Sequence, residues 1–164
     1  MKTISKDTPI AEITLRKYEK PDNLSERELI RKLCLSIGLL QPGDSRDIIV
    51  DILYVLIREG KELSFSEIEK FVKEEREKAN LSLKGTSQPN IRRQLRRLKE
   101  MFIIEAKGNK YKLAEGLSLY EIFSEKIKKF YIEPILERVE EYFKRVDVKK
   151  EERDNKNFEE FKKN

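Results

Sequence analysis

The chain has 164 residues, with 36 lysines and arginines against 31 acids, no histidine and one cysteine. Without histidine it lacks the commonest general base and the commonest transition-metal ligand, which excludes zinc sites and Ser-His or Cys-His catalysis, and Cys34 alone cannot form an intramolecular disulfide. No apolar run is long enough to span a bilayer, and Lys2, Lys6 and Asp7 interrupt any leader-like start, so a cytoplasmic globular protein of one core with appended helices is expected, with neither an enzymatic role nor a cofactor.

The opening segment through Tyr18 reads two ways. Thr8-Pro9 suits a helix start, and Ile13 and Leu15 alternate with polar neighbours like a short strand. Three later helix starts share one signature. Ser25, Ser64 and Ser118 are each followed three residues on by a glutamate, the spacing of a capping box. Each also has a staple pair at its start: Leu24 with Leu29, Leu63 with Ile68, and Leu117 with Ile122. From Ser25 the positions Leu29, Ile30, Leu33, Cys34 and Ile37 recur at helical spacing until Gly38. Asp44 or Ser45 suits the cap of a second helix, whose Ile48, Ile49, Ile52, Leu53, Leu56 and Ile57 make it the expected centre of the core. Ser64 opens a third, with Phe65, Ile68, Phe71 and Val72 inward and a charged extension over residues 73–78; residues 80–85 read as a loop.

A fourth helix begins near Ser87, with Pro89 in the first turn, where its missing donor costs little. Ile91, Leu95 and Leu98 form one narrow apolar stripe. Arg93, Arg96 and Arg97 project from the other side, Arg92 lies on a flank, and Gln88 and Asn90 stand in the first turn. Residues 102–104 and 111–113 then read as two short strands around a basic turn, Lys107-Gly108-Asn109-Lys110. From Ser118 a long helix carries Tyr120, Phe123, Ile127, Phe130 or Tyr131, Ile135, Val139, Tyr142 and Val146 at spacings of three or four. Pro134 should kink or split it. Residues 149–164 read as a fraying or disordered charged tail.

The charge is localised. Between Lys84 and Lys112 nine cations face two anions, a surplus of +7 within a total of +5, so the other 135 residues carry −2. A basic segment in a nearly neutral molecule is the footprint of a phosphate-binding surface. The abundance of lysine and glutamate is what a thermophile's ion-pair networks call for.

The run from Thr86 to Glu100, followed by Phe102-Ile103-Ile104, resembles the recognition helix and first wing strand of winged helix-turn-helix regulators, a layout shared by the multiple-antibiotic-resistance, arsenical-resistance and PadR-type repressors. Two departures stand out: Phe102 occupies a place where these families often have glycine, and the connection before Ser87 is longer than their tight turn.

The resemblance implies a mainly α fold with a small β-hairpin wing. Residues 1–43 would be an N-terminal extension and helix, 44–114 the winged helix domain, 115–148 a long dimerising helix and 149–164 the tail. It implies sequence-specific binding of double-stranded DNA, transcription regulation and a homodimer joined through the C-terminal helix. A helix fits the major groove, where arginine bonds guanine bidentately. On that basis Gln88, Asn90 and Arg93 are expected at base edges, Arg92, Arg96 and Arg97 at phosphates, and Lys107, Lys110 and Lys112 along the flanking backbone or minor groove. The rival expectation is a winged helix used as a protein-interaction module in a transcription, replication or membrane-remodelling complex.

Overall fold

The computed structural model describes residues 6–164; residues 1–5, where the expected N-terminal extension begins, lie outside the described residues. The chain is mainly helical, with a small three-stranded antiparallel sheet and a long C-terminal helix. Its described residues divide into two units: one holds residues 13–127, the other residues 6–12 with 128–164.

Within the first unit, α1 (Glu26–Ser36), α2 (Ile48–Glu59), β1 (Leu63–Ser64), α3 (Phe65–Lys78), α4 (Gln88–Glu100), β2 (Ile104–Lys107) and β3 (Lys110–Leu113) follow in order. After a short 3₁₀ turn (Ala114–Gly116) comes α5 (Leu119–Ile122). Capping boxes are present at Ser25, Ser64 and Ser118, each with the hydroxyl accepting from the third-residue backbone and the glutamate accepting from the serine N–H. The α2 start differs from expectation. Asp47, two to three residues beyond the expected caps, stands at the N-cap and makes no side-chain cap bond, because its carboxylate is held by arginines instead.

Three helices end on one backbone device. In α1, α3 and α4 the residue after the C-cap takes a positive φ, at Gly38 (77°), Asn80 (54°) and Phe102 (63°). The next N–H reaches back to Cys34, Arg76 and Leu98 respectively, closing a Schellman turn. This is how the chain meets the departure at Phe102: an aromatic residue adopts the left-handed conformation that glycine usually supplies, and Ile103 and Leu98, joined by the backbone bond, are both buried. The first hairpin strand consequently starts at Ile104, two residues later than the apolar run suggests.

α2 is the centre of the core, as its apolar breadth predicts: it packs on α1, α3, α4 and β3, and eight of its twelve residues are buried. Ile68 and Val72 of α3 and Ile91, Leu95 and Leu98 of α4 close over it. In α1, Leu35 is buried and Leu29 stays exposed, so the stripe is rotated from the expected one. The sheet has the order β1-β3-β2. The expected hairpin therefore gains a third strand, two residues long, whose Leu63 and Ser64 pair with Tyr111 and Lys110.

The segment before α1, residues 6–25, is neither helix nor strand. It is tied by Arg16, whose guanidinium donates to Leu35 O (2.7 Å), Leu40 O (3.2 Å) and Gln41 Oε1 (2.5 Å).

Cys34 is 0 % exposed, and burial pushes its thiol up to about 12. Since the thiolate is the nucleophile, native protein should resist a thiol reagent at mildly alkaline pH and react stoichiometrically only in denaturant. Fast labelling of the native chain would contradict this placement.

After α5 the helical winding changes. Residues Phe123–Ile132 are wound as a π-helix and α6 (Glu133–Lys163) is α-helical, with Pro134 in its first turn. The proline thus stands one residue past the junction at which π winding gives way to α winding, and the chain stays helical through it. The expected tail is part of α6, helical through Lys163. Among the described residues no helix is long and apolar enough to cross a membrane.

Candidate nucleic-acid interface

α4 presents its apolar stripe to α2 and leaves Gln88, Arg92, Arg93 and Arg96 exposed. Ser87 is the N-cap with no side-chain bond, so the first turn is shaped by Pro89 and by Asn90. Asn90 Nδ2 donates to Gly85 O (2.6 Å), fastening the incoming loop; its Oδ1 accepts from Arg93 Nη2 and from Gln94 Nε2, each at 3.2 Å. Gly85 needs its freedom here, since at φ 89° an added Cβ would lie 3.1 Å from Ile48 and 3.3 Å from Asn90.

The arginines divide by their partners. Arg97 is half-buried: its guanidinium donates to Leu39 O (2.8 Å) and Gln94 Oε1 (2.8 Å), tying α4 to the chain that follows α1. Arg92 lies over the ring of Phe65, 3.9 Å from its centroid, a cation–π contact that holds the guanidinium at the start of α3. Arg96 is exposed on the outward face.

The hairpin turn carries Lys107 and Lys110 as directly opposed residues, both exposed, around Gly108 at φ 63°. Lys112 is half-buried and faces Glu105 (3.3 Å) and Glu62 (4.0 Å). Of the nine residues expected at the interface, six are exposed: Gln88, Arg92, Arg93, Arg96, Lys107 and Lys110. The other three, Asn90, Arg97 and Lys112, have polar atoms engaged within the chain.

What brings helix and hairpin together is the N-terminus of α3. Ser64 is in register with Lys110, and the next residue, Phe65, carries Arg92. Arg92 of α4 and Lys110 of the hairpin therefore meet at one helix start, where the fields of Lys61 and Lys110 reach Glu67. Glu67 of the capping box stands at this edge. Its carboxyl is held below the usual range first by the Ser64 backbone N–H and Ser64 side chain, with the fields of Lys61 and Lys110 adding to them.

Behind this surface lies a cluster that periodicity does not reveal. Arg76 of α3 is 3 % exposed and donates to Asp51 Oδ2 (2.5 Å) and Asp47 Oδ1 (3.0 Å). Arg27 bonds both carboxylates at 3.0–3.2 Å, and Arg31 reaches Asp47 at 2.9 Å. Burial pushes the Asp47 carboxyl up, but hydrogen bonds from Arg76 and Arg27 outweigh it and hold it below the ordinary value. Arg76 Nε also donates to Ser82 O (2.6 Å), so the α3–α4 loop is anchored to the same charges. The available signal was two acids four residues apart in an otherwise apolar helix, which must find buried cations.

No family model, curated protein or solved structure matches the chain.

Proposed function

We propose that this chain is a winged helix-turn-helix protein that binds double-stranded DNA, with α4 in the major groove and the β2–β3 turn on the flanking backbone, and that it regulates transcription as a pair of copies joined through α6. The observation that carries the reading is the shared seat of the two basic elements: Arg92 over Phe65 and Lys110 in register with Ser64 set the helix face and hairpin tip on either side of one helix N-terminus. Two further features support it. A helix, a short strand, two helices and a hairpin follow one another with the hairpin pinned to the start of the first of that helix pair, and the basic surplus falls on the second helix and the hairpin. In this reading Arg93 and Gln88 face base edges, Arg92, Arg96, Lys107 and Lys110 take phosphates, and Arg97 positions α4.

The test is duplex DNA binding followed across salt, by anisotropy, for variants that the geometry separates. Arg96→Ala and Lys110→Ala should each reduce the slope of log K against log salt by about one. Arg97→Ala should leave that slope unchanged and lower the melting temperature, because it loses Leu39 and Gln94 instead of a phosphate. A wild-type chain that does not bind duplex DNA at low salt would sink the proposal and leave the protein-interaction reading in its place.

A further inference from the structure

α6 exposes an apolar stripe: Leu136 (55 %), Val139 (45 %), Tyr142 (68 %), Phe143 (73 %) and Val146 (67 %). At about 100° per residue these five lie within roughly 60° of Val139, over about three turns. Beyond Val146 the same face turns polar at Lys150. What distinguishes this stripe from an ordinary greasy face is the sorting of charge beside it. On one flank, roughly 80–120° round from Val139, stand Glu133, Glu140, Asp147 and Glu151; on the other, at the same angular distance, stand Arg138, Arg145, Lys149 and Lys156. One flank is wholly acidic and the other wholly basic through this stretch.

That sorting selects both a partner and a direction. A two-fold axis running along the helices brings the left flank of one copy against the right flank of the other, which here sets acids on bases along both sides of the apolar seam. A two-fold axis across the helices brings left against left, which sets acids on acids and bases on bases. Charges flanking an apolar seam are the elements that fix partner choice and orientation in paired helices, and like charges held opposite one another are destabilising. We propose that the stripe over 136–146 is covered by the same segment of a second copy, parallel and in register, with Glu140 and Asp147 of each copy level with Arg138, Arg145 and Lys149 of the other. The proposal rests on the two-copy reading above and adds its geometry.

The experiment uses the full chain with one cysteine introduced at a time, Val139→Cys or Val146→Cys; buried Cys34 contributes no background. In a parallel pair in register every seam residue meets itself, so both variants should form disulfide-linked dimers separately under mild oxidation. In an antiparallel pair a residue meets itself only at the crossing point, and positions seven residues apart, ~10 Å along the helix, cannot both be there. Linkage in one variant or neither, in a chain that light scattering shows to be a dimer, overturns the parallel arrangement and leaves the two-copy reading intact. A wild-type monomer at micromolar concentration overturns both. Charge exchange gives an independent readout: E140K/D147K and R138E/R145E should each lose the dimer alone, and an equimolar mixture should recover it as a heterodimer. Two variants that still dimerise by themselves would refute the flank pairing.

Discussion

Asp51→Ala is expected to cost about 3–5 kcal/mol of folding stability, read as a lower denaturant midpoint with an unchanged slope. Asp51 is 1 % exposed and accepts from both Arg76 and Arg27, so its removal leaves Arg76, itself buried, with Asp47 as its remaining carboxylate partner among the described residues. The penalty comes from an under-compensated buried cation, not from the loss of an attractive pair as such. Replacing both partners, as Asp51→Leu with Arg76→Met, should therefore restore much of the loss. The cluster also gives stability a pH dependence. Asp47 titrates lower in the folded chain than in the unfolded one, so its contribution is complete above the unfolded value of ~4 and is lost as pH falls through the folded value. A midpoint for Asp51→Ala within error of wild type would mean that the arginines find water when the carboxylate is gone.

For DNA, the largest expected effect belongs to Arg93→Glu combined with Arg96→Glu. A well-placed arginine contact to a base contributes ~1–3 kcal/mol of discrimination, and reversal also adds repulsion from neighbouring phosphates. The double variant should lose detectable duplex binding at moderate salt while keeping the wild-type melting temperature, since both side chains are exposed and neither contacts the core. Duplex affinity that survives this change would place any DNA contact elsewhere on the molecule.

Much of the architecture was legible because it is written in local spacing. The serine-glutamate pairs at 25, 64 and 118 satisfy backbone donors within one turn, and the stripe of Ile91, Leu95 and Leu98 orients α4 without reference to anything distant. What sequence reasoning missed depends on partners far along the chain. Arg76 reads as one more charge in a charged extension until Asp47 and Asp51, 29 and 25 positions away, are brought beneath it. β1 is two residues long, too short to alternate, and exists because β3 offers it a ladder. Arg97 lies on the same helix face as Arg93, yet Leu39 O, 58 positions distant, takes it out of the outward set. The N-terminal segment had two local readings and adopts neither, its course being set by what Arg16 bonds. At Phe102 the end of α4 was visible, but not that an aromatic residue would take the left-handed turn; the two backbone bonds of the Schellman motif and the burial of Ile103 outweigh the local preference.

The bond from Arg93 to Asn90 changes what the outward face of α4 can recognise. Asn90 Oδ1 engages one of the five N–H groups of the Arg93 guanidinium, at Nη2, and leaves the rest of the fork to an incoming acceptor. The bond therefore aims the guanidinium before any partner arrives, so that less side-chain freedom is lost on docking. A planar partner that offers two acceptors at once gains most from a fork whose plane is already chosen. Because the same amide fastens Gly85, the aim of the arginine is held in place by the loop that leads into the helix.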